Sequence, residues 1–216
     1  MDSLTALLVG AFAVCAVADW TAIWRGSDHL RSLTKPAATA VLLLIAVLAG
    51  EMESEAHALL VVAVTLCLIG DVALLGRSEQ RFLAGLTAFA LGHIAYAVTA
   101  LFVGVSWPRL AVAFPVLVVL LGVQVGTGML SGARRHGGQS MFIAVATYSL
   151  IISAMVVAAT GTPSWLAFAG ATLFAISDSM IAYNRFVRPF RRADLPIMMT
   201  YHVGQLLLIG GLIIGG

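Results

Sequence analysis

The stretch that decides the fold is "HALLVVAVTLCLIGDVALLG", residues 57 to 76, with one ionisable side chain in its interior, Asp71. A helix rises about 1.5 Å per residue, so some 20 residues cross the roughly 30 Å hydrocarbon core of a bilayer. The run is too long for a barrel strand and lacks its period-2 alternation. The same texture recurs along the chain. Eight spans can be drawn, at 4–24, 36–50, 57–76, 82–104, 108–130, 139–160, 165–184 and 196–215. Composition agrees: 61% of the 216 residues are hydrophobic, 10% are charged, and the mean hydropathy is +1.02. A soluble domain carries about 25% charged residues. The expected class is all-α, a polytopic membrane protein built as one domain over 1–216, a bundle of eight transmembrane helices.

The basic residues set the expected orientation. Arg25, Arg31 and Lys35 lie in the first loop, Arg77 and Arg81 in the third, Arg134 and Arg135 in the fifth. Arg185, Arg188, Arg191 and Arg192 lie in the seventh, and only Arg109 falls elsewhere. The positive-inside rule places these four loops in the cytoplasm and both termini outside, with acidic loop two (Glu51, Glu53, Glu55) facing outward. "MDSL" lacks the basic start of a signal peptide, so the first span is read as retained. A bacterial inner (plasma) membrane is the expected location; the single lysine against many arginines fits a GC-rich bacterial genome. Cys15 and Cys67 lie within apolar runs and read as packing residues. No basic patch points to nucleic acid, and nothing in the pattern specifies an oligomeric state.

Ionisable residues inside a membrane are rare and default to function. Here they are Asp19, Asp71, His93, Asp178 and His202, with Lys35-Pro36 at a boundary. Counted from the basic loops, Asp19, Asp71, Asp178 and His202 lie roughly 9–10 Å inside the cytoplasmic edge, and His93 roughly 16 Å. Residues from separate spans in one layer predict a polar cavity toward the cytoplasmic leaflet. "LFAISDSMIA" (173–182) repeats the arrangement of "LCLIGDVALL" (66–75) four spans later. Tyr96 shares a helical stripe with His93, Tyr201 and Gln205 are i and i+4, and Asn184 shares a face with Ser177.

Two carboxylates in a low-dielectric site divide into a protonated acid and an ionised base, which suits hydrolysis of an acid-labile bond. No H-E-x-x-H, Cys/His metal spacing, P-loop or G-x-S-x-G occurs, so neither metal nor cofactor is expected. A carboxylate–histidine metal site from Asp71, Asp178, His93 and His202 stays open as an alternative. So do a proton-coupled transporter or lipid-binding protein, which also uses membrane acids, and an intramembrane aspartyl protease, which also pairs two aspartates.

"TKPAATAVLLL", "LIGDVALL", "FALGHIAYA", "ISDSMIAYNRF" and "YHVGQLLL" occur in this order in successive spans. The ordered set resembles the YhhN-type lysoplasmalogenase family of eight-span proteins, over residues 34 to 212. The resemblance implies hydrolysis of the vinyl-ether bond of lysoplasmalogens to a fatty aldehyde and glycerophospho-ethanolamine or -choline. A lysophospholipid and membrane lipids are then the implied partners. The family's pattern falls on Lys35, Pro36, Gly70, Asp71, Gly92, His93, Tyr96, Ser177, Asp178, Tyr201 and Gln205, with His202 outside it. On this reading Asp71 and Asp178 are catalytic. His93, Tyr96 and Tyr201 orient the water and the carboxylates, and Lys35 meets the lipid phosphate at the cytoplasmic boundary.

Overall fold

Hydrogen-bonding side chains start several helices earlier than hydropathy alone suggests. Ser27 accepts the Leu30 amide (3.3 Å) and Ser78 the Arg81 amide (3.2 Å), with Asp28 and Glu79 in the first turns complementing the helix dipoles. The computed structural model describes residues 3–50, 52–76 and 78–216. The charge expectations at Glu51 and Arg77, and the reading of the Met1–Asp2 start, lie outside the described residues. The helices are α1 (Ser3–Arg25), α2 (Asp28–Val47), α3 (Ser54–Leu74), α4 (Glu79–Val103), α5 (Trp107–Gly126), α6 (Met129–Gly161), α7 (Trp165–Phe186) and α8 (Asp194–Gly215). All eight are long and apolar enough to cross a membrane, and no strand occurs among the described residues.

Two local features correct the expected boundaries. Helix α2 begins at Asp28, so Pro36 is inside the helix and Lys35 lies two turns from its start. Hydropathy assigned this polar first stretch to a loop, but a capped helix needs no apolar residues in its opening turns. In α6 the helix breaks at Gly137 and Gly138 (φ 67°, ψ −157°), a conformation essentially confined to glycine. The break separates a short segment with Arg134 and Arg135 from the membrane-spanning part.

The helices alternate in direction. At one end Arg31 pairs with Asp194 (2.6 Å), Arg192 stacks 3.8 Å over the Trp24 ring, and Phe186 meets Phe82 and His136 edge-on. Loops one, three, five and seven therefore gather together. At the opposite end the Ser106 amide donates to the Gly161 carbonyl (3.0 Å), and Arg109 donates to the carbonyl of Thr162.

Helix α8 packs on α7 and also touches α1, α2 and α4, while α6 joins α4, α5 and α7. The α7–α8 contact is backbone to backbone. A Cβ on Gly204 would fall 2.9 Å from the Phe174 amide nitrogen and 3.0 Å from the Gly170 carbonyl oxygen, and one on Gly170 would overlap the Leu208 backbone. This approach sets Phe174 against Tyr201 and Ser177 against Ile197. Gly170→Leu and Gly204→Leu are each expected to cost at least about 1–3 kcal/mol. A thermal melt in detergent checks this, with Gly210→Leu, which opens on free space, expected to leave the midpoint unchanged.

Candidate functional site

The buried polar residues form two hydrogen-bonded groups. The first is centred on Asp71 of α3, which is 1% exposed. Its Oδ1 faces Lys35 Nζ of α2 at 3.3 Å. Its Oδ2 accepts from Thr39 Oγ1 (2.5 Å) and from the Tyr201 hydroxyl of α8 (2.6 Å). One cation and two hydroxyl donors are the partners of an ionised carboxylate. Lys35 is thus a buried residue whose ammonium faces Asp71. The buried charge is tolerated because its partner lies on the adjacent helix. Asp19 of α1 accepts from Thr34 (3.1 Å) and lies within electrostatic reach of Lys35.

The second group is centred on Asp178 of α7. Tyr148 of α6 donates its hydroxyl proton to Asp178 Oδ2. His93 Nε2 of α4 lies 3.2 Å from that oxygen and 2.9 Å from the Tyr148 hydroxyl. With the phenol proton committed to Asp178 Oδ2, and the acidic proton of the carboxyl group placed on Oδ1, Nε2 carries a hydrogen of its own toward Oδ2. Among the described residues no cation pairs with Asp178 except His93 when protonated. The Asp178 side chain is 11% exposed and lines a small cavity of about 50 Å³, whose other walls include Phe82, Leu86, Phe89, Tyr148 and Ile152. Asp71 does not reach that cavity.

Phe174 and Phe89 stand between the two groups. The Phe174 ring is edge-on to both His93 (4.7 Å between centroids) and Tyr201 (5.2 Å), and Phe89 contacts the same two rings. Among the described residues no hydrogen bond joins Asp71 to Asp178, so they are not an aspartic-protease dyad sharing one proton. Cys67 lies within electrostatic reach of both carboxylates and beside Tyr96 and Gln205. Among the described residues the Tyr96 hydroxyl and both polar atoms of Gln205 are buried without a hydrogen-bond partner other than the neighbouring Cys67 thiol.

The remaining expected site residues are placed elsewhere. Ser177 donates to the Ile197 carbonyl (3.0 Å) at the α7–α8 contact, and Asn184 accepts the Phe190 amide (3.1 Å) in the following turn. Their shared helical face therefore has a structural use in each case. His202 Nδ1 accepts from the Trp20 indole (3.0 Å), on the α1 side of α8. Among the described residues no three His, Cys, Asp or Glu side chains come together as a metal site, so the four-residue metal alternative has no geometric basis there.

Two site residues escaped the sequence reading. Thr39 lies one turn after Lys35, on the same face, a signal that was legible. Tyr148 is a lone hydroxyl in an apolar span and carried none. A third group, the Arg185 guanidinium, lies 3.8 Å over the ring of Phe82 and 5.8 Å from that of Phe186, both walls of the Asp178 cavity. It has no carboxylate partner within salt-bridge distance among the described residues.

The family model named YhhN matches residues 30–212. This chain belongs to the YhhN family. The curated relatives of this YhhN-family chain include lysoplasmalogenase TMEM86B of Homo sapiens, 33% identical over 143 residues. That match covers 65% of this chain and 57% of the human protein. A lysoplasmalogenase of Mycobacterium tuberculosis is 32% identical over 141 residues, covering 62% of this chain and 52% of that protein. The matches thus span little more than half the length of these relatives. No solved structure matches the chain significantly.

Proposed function

We propose that this chain is a lysoplasmalogenase, an intramembrane hydrolase that opens the vinyl-ether bond of a lysophospholipid. The observation that carries the reading is Asp178. It is a carboxyl group on the wall of an otherwise largely apolar cavity, bound by Tyr148 and His93, in a chain whose curated relatives bear that name.

The chemistry fits those partners. Protonation of the vinyl-ether β-carbon by the Asp178 carboxyl group leaves an oxocarbenium ion at the carbon bearing oxygen. The resulting carboxylate faces that cation and stabilises it, much as carboxylates do in glycosidases. Water then adds to the cationic carbon, its proton passing to Asp178. His93 and Tyr148, joined to the same oxygen, hold the carboxylate in place and relay a proton as the hemiacetal collapses to aldehyde and alcohol. One water is consumed. Tyr96 and Gln205 supply buried polar atoms suited to holding it. Asp71 remains ionised against Lys35 and, through Tyr201, fixes α3 and α8 around the site. The two aspartates therefore divide into one that transfers protons and one that positions.

The head group lies at the arginine-rich end, which the loop charges place in the cytoplasm, with both termini outside. Arg185, held over Phe82, is the residue that meets the phosphate. Incubating purified protein with lysoplasmenylethanolamine and assaying released aldehyde tests the activity. No aldehyde from folded protein sinks the reading. Arg185→Ala is expected to raise KM about 10- to 100-fold, the loss of a charged hydrogen bond of about 1.5–3 kcal/mol, with kcat little changed. A fall in kcat with constant KM would remove Arg185 from phosphate binding.

A further inference from the structure

A second cavity lies between α5 and α7, and the hydrolytic reading leaves it without a use. It has a volume of about 600 Å³ and is lined by Pro115, Val119, Val123, Ile176, Met180 and Tyr183, among others. Its surface is almost entirely apolar. It exists because α5 packs chiefly on α6 and leaves its face toward α7 uncovered. Val119 and Ile176, on opposite walls, are 62% and 40% exposed, so the cleft is open on its outer side, where a spanning bundle meets lipid tails. Met129 and Ser179 line both this cleft and the Asp178 cavity. These two side chains are walls common to both. Ser179 directly follows Asp178 in α7, and Met129 is flexible enough to shift aside.

We propose that the α5–α7 cleft is the hydrocarbon-chain subsite, through which a single-chain lysolipid enters sideways from the bilayer with its tail in the cleft and its ether end at Asp178. The proposal rests on the hydrolase reading for the identity of the head group. Continuity with the Asp178 cavity favours this occupant. A substrate with one long apolar chain and a polar end needs a greasy groove beside a site that holds an acid, and this cleft is open on its outer side and shares Met129 and Ser179 with the Asp178 cavity. Four hydroxyl-bearing residues line the cleft, and two of them, Thr127 and Tyr183, lie at the end where the arginines gather, with Thr172 and Ser179 further along α7.

The test uses the full chain in bilayer nanodiscs with an alkyl-ether lysophospholipid, which has no vinyl-ether bond to break, carrying a diazirine at the chain terminus. Photolysis and peptide mapping are expected to concentrate label on 115–127 and 172–183. Ile176→Trp, or Val119→Trp should the first fail to fold, is expected to cut that labelling about tenfold, the equivalent of roughly two methylenes of lost contact. Leu7→Trp on the outer face of α1 should leave the labelling unchanged. Label spread evenly over all lipid-facing helices, or labelling of the cleft indifferent to both tryptophans, overturns the subsite and marks the cleft as filled by ordinary bilayer lipid. The hydrolase reading is separated by a parallel aldehyde assay. Turnover without cleft labelling removes the subsite alone, and cleft labelling without turnover keeps the subsite and removes the activity.

Discussion

Asp178→Asn is expected to lower kcat for aldehyde release by about 10²–10⁴-fold, the usual contribution of a positioned acid–base group, while leaving the protein folded. Asparagine keeps the shape of the side chain and can still accept the Tyr148 hydroxyl proton that Asp178 accepts. It cannot deliver a proton to carbon, and its neutral amide cannot face an oxocarbenium ion with a negative charge. Tyr148→Phe is expected to lie between wild type and Asp178→Asn, because it removes one donor and leaves His93 in place. The measurement is single-turnover aldehyde release at saturating substrate. Full activity in Asp178→Asn, or its loss in a well-folded Asp71→Asn alone, reverses the roles assigned to the two aspartates.

Lys35→Met is expected to unfold most readily of the conservative single changes. It strips the counter-charge from a carboxylate that is 1% exposed. Breaking a buried ion pair from one side costs about 3–5 kcal/mol, because the surviving charge has neither water nor a partner. The double variant Lys35→Met/Asp71→Asn removes both charges and is expected to recover much of that loss, since Thr39 and Tyr201 can still donate to the asparagine oxygen. Thermal midpoints of the four proteins form a double-mutant cycle. Purely additive changes would show that the 3.3 Å contact between Lys35 and Asp71 contributes no coupling.

Hydropathy carried the architecture because a bilayer imposes its thickness on every spanning segment. Eight long apolar runs can hardly be anything but eight helices. The burial of Asp71, His93 and Asp178 was legible for the same reason: a polar residue amid leucines cannot retreat to water. Their partners were not. The start of α2 is capped by a hydrogen bond from the Leu30 amide to the Ser27 hydroxyl oxygen, which hydropathy does not register, and the earlier start puts Lys35 inside the helix, beside Asp71. Ser177 and Asn184 share a helical face, yet backbone groups at Ile197 and Phe190 engage both, and periodicity has no knowledge of neighbouring loops. Phe89 and Phe174 look like ordinary core residues in sequence. Only their edge-on contacts with His93 and Tyr201 show that they divide one supposed carboxylate pair into two separate environments.

The pairing of Lys35 with Asp71 across α2 and α3 also bears on how the protein enters the membrane during synthesis. A lone lysine or aspartate at the centre of a helix opposes translocon insertion by about 2.5–3.5 kcal/mol. These two lie on consecutive helices, so the hairpin can neutralise both as it leaves the translocon. Tyr201, which completes the hydrogen bonds to Asp71, emerges 130 residues later. The first half of the bundle can therefore settle early in an electrically silent form. The arrangement around Asp71 closes only when the eighth helix arrives, so a nascent chain lacking that helix is lipid-embedded but not yet assembled.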